Sequence, residues 1–169
     1  MVLTKSELVT SLQHEVRILL HLASKIDRAW LDYRPTPKQR STIELLRYLS
    51  YMGPMLVKLA LGKIDRADRS VWTAIHQAAA ARDFDQTLAE IATHADTYAT
   101  LLGDLSDADF RAETDGFGGK TTRGAFIVNQ VLCGCAAYRT QLFLYLKACG
   151  REELTTSNLW AGADAPVAV

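Results

Sequence analysis

The chain has 169 residues, of which 49% are hydrophobic and 22% are charged. Because 19 basic residues balance 19 acidic ones, the overall charge favours neither nucleic acid nor an anionic membrane as a partner. A chain of this length buries about two-thirds of its unfolded surface, so its core needs no disulfide or metal for stability. We expect one domain over residues 1–160 and a mobile tail over residues 161–169.

Cysteine usage and hydropathy predict where the protein resides. Cys133, Cys135 and Cys149 lie in one predicted helix, without a CxxC pair or an even number of thiols, which favours reduced cytosolic cysteines over disulfides. The N-terminal sequence MVLTKSELV has no apolar core of the signal-peptide type, and no window approaches 18 unbroken apolar residues. These features predict a soluble, cytoplasmic protein that does not enter membranes.

Helical periodicity begins near the N-terminus. Thr4 and Glu7 match a capping box, and the pattern that follows predicts a first helix from Thr4 to about Trp30. Its apolar stripe consists of Leu8, Leu12, Val16, Leu19, Leu22, Ala23, Ile26 and Trp30. The opposite face carries His14 and His21, which we expect to be solvated.

The second predicted helix begins at another capping box, formed by Ser41 and Glu44. Its inward residues are Leu45, Leu49, Met52, Leu56 and Leu59. Tyr48 lies on the flank of this stripe, and the sequence Gly53-Pro54 predicts a kink, because proline removes a helical hydrogen bond.

Three further helices are expected. A short one covers residues 70–82, a third long helix runs from Asp83 or Asp85 to about Gly103, and a fourth runs from about Thr122 to Cys149. The inner stripe of the third long helix is Leu88, Ile91, Ala92, Ala95, Ala99 and Leu102. The pattern predicts an all-α fold, an antiparallel four-helix bundle with an additional short helix between helices 2 and 3. Downstream, Leu159 and Trp160 are expected to fold back and dock.

Residues of the types that can bind metals or act as nucleophiles are spread along the sequence without a recognisable motif. His76 and His94 stand at stripe edges without a second histidine at i+3 or i+4, which is typical of hydrogen-bonded structural histidines. Cys133 and Cys135 point about 200° apart on a helix and cannot chelate one ion together. No serine stands in a G-x-S-x-G setting, and GFGGK lacks the spacing of a phosphate-binding loop. No catalytic residue is therefore assigned.

Several segments together resemble the DinB/YfiT-like family of metal-dependent four-helix bundles (the DinB superfamily). They are YRPTPKQRSTIELLRYL, the helix end YRTQLFLYLKACG and the following SNLWAG. The resemblance covers nearly the whole chain and implies a compact bundle that is often dimeric. Many such proteins bind zinc or nickel through three histidines, one from the second helix and two, spaced i, i+4, from the last.

This chain departs from that pattern at all three ligand positions. The resemblance places the ligands at Tyr48, Gly134 and Tyr138, where no histidine stands. A phenol must lose a proton with a pKa of about 10 before it binds zinc or nickel well, and glycine has no donor. A conventional three-histidine site cannot form.

Two interpretations of these positions remain open. In one, the tyrosine rings pack as core filler. In the other, a small metal-free pocket binds an apolar or aromatic molecule. The residues expected to line that pocket are Tyr48, Met52, Gly134, Cys135 and Tyr138.

Three functions follow from these interpretations. The first is a metal-free small-molecule-binding or interaction module, a homodimer as the resemblance implies. The alternative is a divalent-metal-dependent enzyme of hydrolase or thiol-transferase type, in which Glu44, His94 or Cys135 helps to hold zinc or nickel. The third is a structural dimer without a ligand. An apolar residue left exposed on an outer face, such as Ile18 or Leu144, would mark the dimer surface.

Overall fold

Local sequence signals set the boundaries of the helices in the computed structural model, which describes residues 3–165. The α-helices are α1 (Lys5–Ala23), α2 (Thr42–Ala60), α3 (Arg69–Ala81), α4 (Phe84–Ala92), α5 (His94–Gly103), α6 (Asp107–Arg111), α7 (Arg123–Phe126) and α8 (Cys133–Ala148). Strands β1 (Glu113–Asp115) and β2 (Lys120–Thr122) form an antiparallel hairpin. A π-helical segment, Ile127–Leu132, joins α7 to α8 without a break, and a second one covers Ser157–Ala161.

Four long helical segments surround the core. α1 packs against α5 and α8, while α2 packs against α4 and α8, and α3 lies on α2 as the additional helix. The all-α bundle with an extra helix is thus confirmed. Among residues 3–165, no helix has both the length and the apolar character needed to cross a membrane.

The first helix is shorter than its apolar stripe predicts. It begins as expected, since Thr4 and Glu7 form the capping box, but it ends at Ala23 rather than near Trp30. There the Ser24 amide donates to the Leu20 carbonyl, and the Asp27 carboxylate accepts from the Ala29 amide to start a separate 3₁₀ turn. The Asp27 side chain therefore caps a separate 3₁₀ turn in the place where the last turns of the predicted helix were expected.

The third long helix is broken at Thr93, which separates α4 from α5. In α5, after the break, His94 and Tyr98 are buried while Ala99 is exposed, and Ala92 at the end of α4 is exposed as well. The predicted stripe is therefore wrong at these two alanines. Ile91 and Leu102 are fully buried, as the stripe predicts.

The C-terminal segment covers the face of α1 that was expected to be solvated. The backbone carbonyl of Trp160 lies 2.9 Å from Nε2 of His14, and the Asn158 side chain lies 3.1 Å from Nε2 of His21. Ile18 is fully buried beneath this segment, whereas Leu144 is 59% exposed. The prediction of a solvated face is wrong, because residues 157–161 dock on α1 and α8.

This docking is anchored by a buried arginine. Arg139 Nε lies 2.7 Å from the Glu15 carboxylate, and its guanidinium stands 4.7 Å from the centre of the Trp160 ring. Part of the predicted tail is held as well, since Asp164 lies 2.7 Å from Lys25 Nζ. Residues 166–169 of that tail lie outside the described residues.

Candidate functional site

Four of the five predicted site residues line one cleft, which we call the tyrosine cleft. It has a volume of about 600 Å³ and lies between α2, α3 and the helix that runs from α7 to α8. Its lining residues are Arg40, Tyr48, Tyr51, Met52, Met55, Leu56, Trp72, His76, Phe117, Asn129, Gln130, Cys133, Gly134, Ala137 and Tyr138. The helical spacing thus brings Tyr48, Met52, Gly134 and Tyr138 together.

Three tyrosine rings form the wall of this cleft. The ring centres of Tyr48 and Tyr138 are 5.1 Å apart, and those of Tyr48 and Tyr51 are 5.5 Å apart, both edge to face. Such pairs contribute about 0.5–1.5 kcal/mol beyond the burial of their area. The wall is therefore held in one geometry, although each of the three rings is only half-buried.

Two phenols of this wall, Tyr48 and Tyr51, have a raised pKa and stay protonated at neutral pH. Burial raises the pKa of Tyr48 well above its usual value of 10.0, and a hydrogen bond with the Tyr138 hydroxyl raises it further. Burial also raises the pKa of Tyr51, although the nearby Arg40 acts in the opposite direction. Neutral phenols are poor ligands for zinc or nickel, so the groups at the positions where the resemblance implies ligands do not fit a divalent metal.

Gly134 keeps the floor of the cleft open. A Cβ atom at this position would lie 3.5 Å from the Met52 methyl carbon, which is an ordinary van der Waals distance. The glycine is therefore not required by close packing. Because it lacks a side chain one turn before Tyr138, the space beside Met52 belongs to the cleft.

Cys135 is not among the residues that line the cleft. Its thiol interacts with the hydroxyl of the buried Tyr98, on the side of the helix that faces Glu15. Burial raises the pKa of the Cys135 thiol to about 12, and the Glu15 carboxylate adds to the shift. The protonated thiol is a poor nucleophile. The cysteine that does line the cleft is Cys133, whose side chain is exposed.

The residues considered for an unconventional metal site have other partners. The Glu44 carboxylate accepts from the Ser41 amide at 2.8 Å and lies 3.3 Å from Arg34. His94 is buried, and its Nε2 lies 3.0 Å from the Ser50 carbonyl oxygen. Over residues 3–165, no three His, Cys, Asp or Glu side chains come close enough to hold a metal ion together.

The rim of the cleft consists of residues that sequence reasoning did not assign to it. The Arg40 guanidinium lies 4.1 Å from the centre of the Tyr48 ring, and the His76 ring lies 5.2 Å from that of Tyr51. Trp72 comes from α3 and Phe117 from the hairpin loop. The i, i+4 spacing of Trp72 and His76 shows that they share a face of α3, but only the tertiary fold shows what that face covers.

A second groove lies at the start of α1. It has a volume of about 580 Å³, and we call it the α1 groove. It is lined by Leu3, Thr4, Lys5, Leu8, Asp107, Phe110, Arg111, Thr122, Gly124, Ala125, Val128 and Asn129. It contains none of the predicted site residues and provides a comparison for the tyrosine cleft.

Comparison with known proteins shows the fold. The structure is similar to the crystal structure of a DinB-like protein, YjoA, from Bacillus subtilis, with a TM-score of 0.66. The match covers 88% of this chain and 94% of that protein, at 18% sequence identity. No family model matches the sequence, and no curated protein is significantly similar to it. The chain therefore has a DinB-like helical-bundle fold.

Proposed function

We propose that this DinB-like fold serves as a metal-free small-molecule-binding module whose site is the tyrosine cleft. The carrying observation is that Tyr48, Tyr51 and Tyr138 stand half-buried around an open volume of about 600 Å³. Rings that acted only as core filler would close against one another at the density of a protein interior. Ligand sites commonly have volumes of about 300–1,000 Å³, so the cleft has a suitable size.

The chemistry of the walls supports an apolar or aromatic ligand. The lining side chains are mostly aromatic rings, aliphatic groups and the thioethers of Met52 and Met55, and the thioethers adapt to ligands of different shape. A few polar groups, including the amides of Asn129 and Gln130, can orient a bound molecule. The protonated Tyr48 hydroxyl stands where the resemblance implies a metal ligand, and it can form a hydrogen bond with a bound molecule instead.

The proposal is tested with N-phenyl-1-naphthylamine, a neutral fluorescent probe for apolar sites. We expect wild-type protein to bind it and to enhance its fluorescence. Gly134→Leu, which directs a side chain into the cleft beside Met52, should weaken binding at least about tenfold, equivalent to about 1.4 kcal/mol. Ala137→Leu blocks the same cleft from an exposed position and serves as a second variant if Gly134→Leu folds poorly.

The matched control is Ala125→Leu, which adds the same bulk to the α1 groove instead. It should bind the probe as the wild type does. Circular dichroism and thermal melting identify any variant that has lost its fold. Absence of binding by the wild type, or loss of binding in Ala125→Leu but not in the cleft variants, would contradict the proposal.

A further inference from the structure

The tyrosine cleft carries positive charge without a compensating carboxylate. Among its lining residues, Arg40 is a permanent cation, and none is aspartate or glutamate. The chain as a whole has zero formal net charge, so this imbalance is local. A ligand that brought one negative charge would neutralise it.

Several arginines of this chain pair with a carboxylate, whereas Arg40 does not do so within residues 3–165. Arg28 lies 2.7 Å from Asp85, Arg34 lies 3.3 Å from Glu44, and Arg82 lies 3.1 Å from Glu90. Within residues 3–165, the Arg40 guanidinium forms no ion pair, and it stacks on the Tyr48 ring at 4.1 Å from the ring centre. Its hydrogen-bond donors are therefore available to a ligand.

The backbone of Arg40 is fixed beside the cleft. The Tyr145 hydroxyl donates a hydrogen bond of 2.9 Å to the Arg40 carbonyl oxygen, and Tyr145 itself is 3% exposed. The next residue, Ser41, is buried and caps α2. Stacking on Tyr48 then limits the directions that the guanidinium can take, which lowers the entropy lost when it pairs with a ligand.

Several aromatic rings line the same cleft as the Arg40 guanidinium. The indole nitrogen of Trp72 donates to the Arg66 carbonyl oxygen at 3.0 Å, which fixes one ring. Tyr51 lies between Tyr48 and His76, and Phe117 remains 62% exposed at the mouth. Aromatic side chains favour planar ligands through offset or edge-to-face packing.

We propose that the ligand is a planar aromatic carboxylic acid, whose carboxylate pairs with Arg40 while its ring packs against Tyr51 and Trp72. This inference rests on the proposed function of the cleft and adds the ligand's class. A carboxylate fits better than a phosphate, because one guanidinium matches the two oxygens of a carboxylate in a bidentate pair. A doubly charged phosphate would require further cations than the single permanent one in this lining.

The test compares 2-naphthoate with 2-naphthamide, which has nearly the same shape and no charge, by isothermal titration calorimetry. The wild type should bind the acid roughly tenfold more tightly than the amide, because a charged hydrogen-bonded pair forms only with the acid. Arg40→Gln should remove this preference, whereas Arg111→Gln, at an exposed arginine of the α1 groove, should retain it. Cyclohexanecarboxylate, which is charged but not planar, should bind more weakly than 2-naphthoate.

The outcomes separate this inference from the proposed function. If acid and amide bind equally and Ala137→Leu weakens both, the cleft is a binding site but the preference for an acid is refuted. The same holds if Arg40→Gln weakens both probes to the same extent. Equal binding of cyclohexanecarboxylate and 2-naphthoate would refute the aromatic requirement. If no probe binds to the wild type at millimolar concentration, both proposals fail.

Discussion

Two glycines that face the core side and the cleft side of the bundle should respond oppositely to the same substitution. A Cβ atom at Gly53 in α2 would overlap the hydroxyl of Tyr98 and would lie 3.1 Å from its Cζ atom. A Cβ atom at Gly134 in α8 would meet only Met52, at 3.5 Å from the nearest atom. Gly53→Ala and Gly134→Ala therefore form a matched pair.

The expected magnitudes follow from these contacts. Alanine is more favourable than glycine inside a helix by about 0.8–1.0 kcal/mol, so Gly134→Ala should stabilise the protein by up to about 1 kcal/mol. At Gly53, the same gain is opposed by overpacking, which costs about 1–3 kcal/mol in a close-packed core. Tyr98 is 1% exposed and cannot swing away without disturbing its contact with the Cys135 thiol. Loss of that contact would add about 1 kcal/mol to the cost of overpacking. Gly53→Ala should therefore destabilise by about 1–3 kcal/mol.

Equilibrium unfolding in urea, followed by circular dichroism, measures both changes. The midpoint should rise for Gly134→Ala and fall for Gly53→Ala, with the slope of the transition unchanged. The reasoning would be refuted if Gly53→Ala were as stable as the wild type. A decrease of more than about 1 kcal/mol in the free energy of unfolding of Gly134→Ala would also contradict the prediction, because it would mean that the space beside Met52 is closed.

Three further predictions concern metal binding, pH and assembly. The triple variant Tyr48→His, Gly134→His and Tyr138→His should acquire zinc or nickel with a chelator-sensitive melting temperature; unchanged metal content would contradict the assignment of these positions. Burial lowers the pKa of His94 from 6.5, so the free energy of unfolding should fall as pH drops below about 6.5. His94→Gln should reduce the dependence of the free energy of unfolding on pH, and an unchanged dependence would contradict this role of His94. Analytical ultracentrifugation should give the mass of a homodimer; a monomer at micromolar concentration would refute that expectation.

The sign of the pH effect follows from the neutral state of the buried imidazole. Desolvation disfavours protonated His94 in the folded protein, so the unfolded chain binds the proton more readily below pH 6.5. Stability is therefore present above the unfolded pKa and is lost as the pH falls towards the folded pKa. Burial and nearby Lys25 lower the pKa of His21 as well, so His94→Gln should leave part of the slope.

Much of the fold was predictable because local signals and long-range packing agree. The capping boxes at Thr4 and Ser41 begin α1 and α2 where the sequence places them. The inward stripe of α2 is buried throughout, from Leu45 to Leu59. By contrast, the end of α1 and the break at Thr93 depend on competing local caps, which hydrophobic periodicity does not register.

The histidines on α1 show what a helical wheel cannot reveal. His14 and His21 lie opposite the apolar stripe, yet the segment that covers them comes from more than 130 residues later in the chain. That segment carries no helical periodicity, so its docking position depends on specific contacts such as Arg139 with Glu15 and Trp160. Sequence reasoning predicted that Leu159 and Trp160 would dock, but not the face that they cover.

The candidate site was partly predictable for a similar reason. Tyr48 and Met52 are four residues apart on α2, as Gly134 and Tyr138 are on α8, so each pair shares a face. The direction of Cys135 depends on the helix that continues from the π-helical segment, and its thiol faces Tyr98 instead of the cleft. Arg40 and Trp72 come from a loop and from α3, whose positions no helical period encodes.

Whether the tyrosine cleft is free of metal is decided by the metal content, measured by mass spectrometry, of protein purified without a histidine tag. This measurement is followed by melting scans with zinc, nickel or a chelator. We expect far less than one equivalent of metal per chain and no shift in melting temperature, because Tyr48, Gly134 and Tyr138 provide no suitable ligands. Close to one equivalent of zinc or nickel, with a melting temperature that falls on chelation, would contradict a metal-free site.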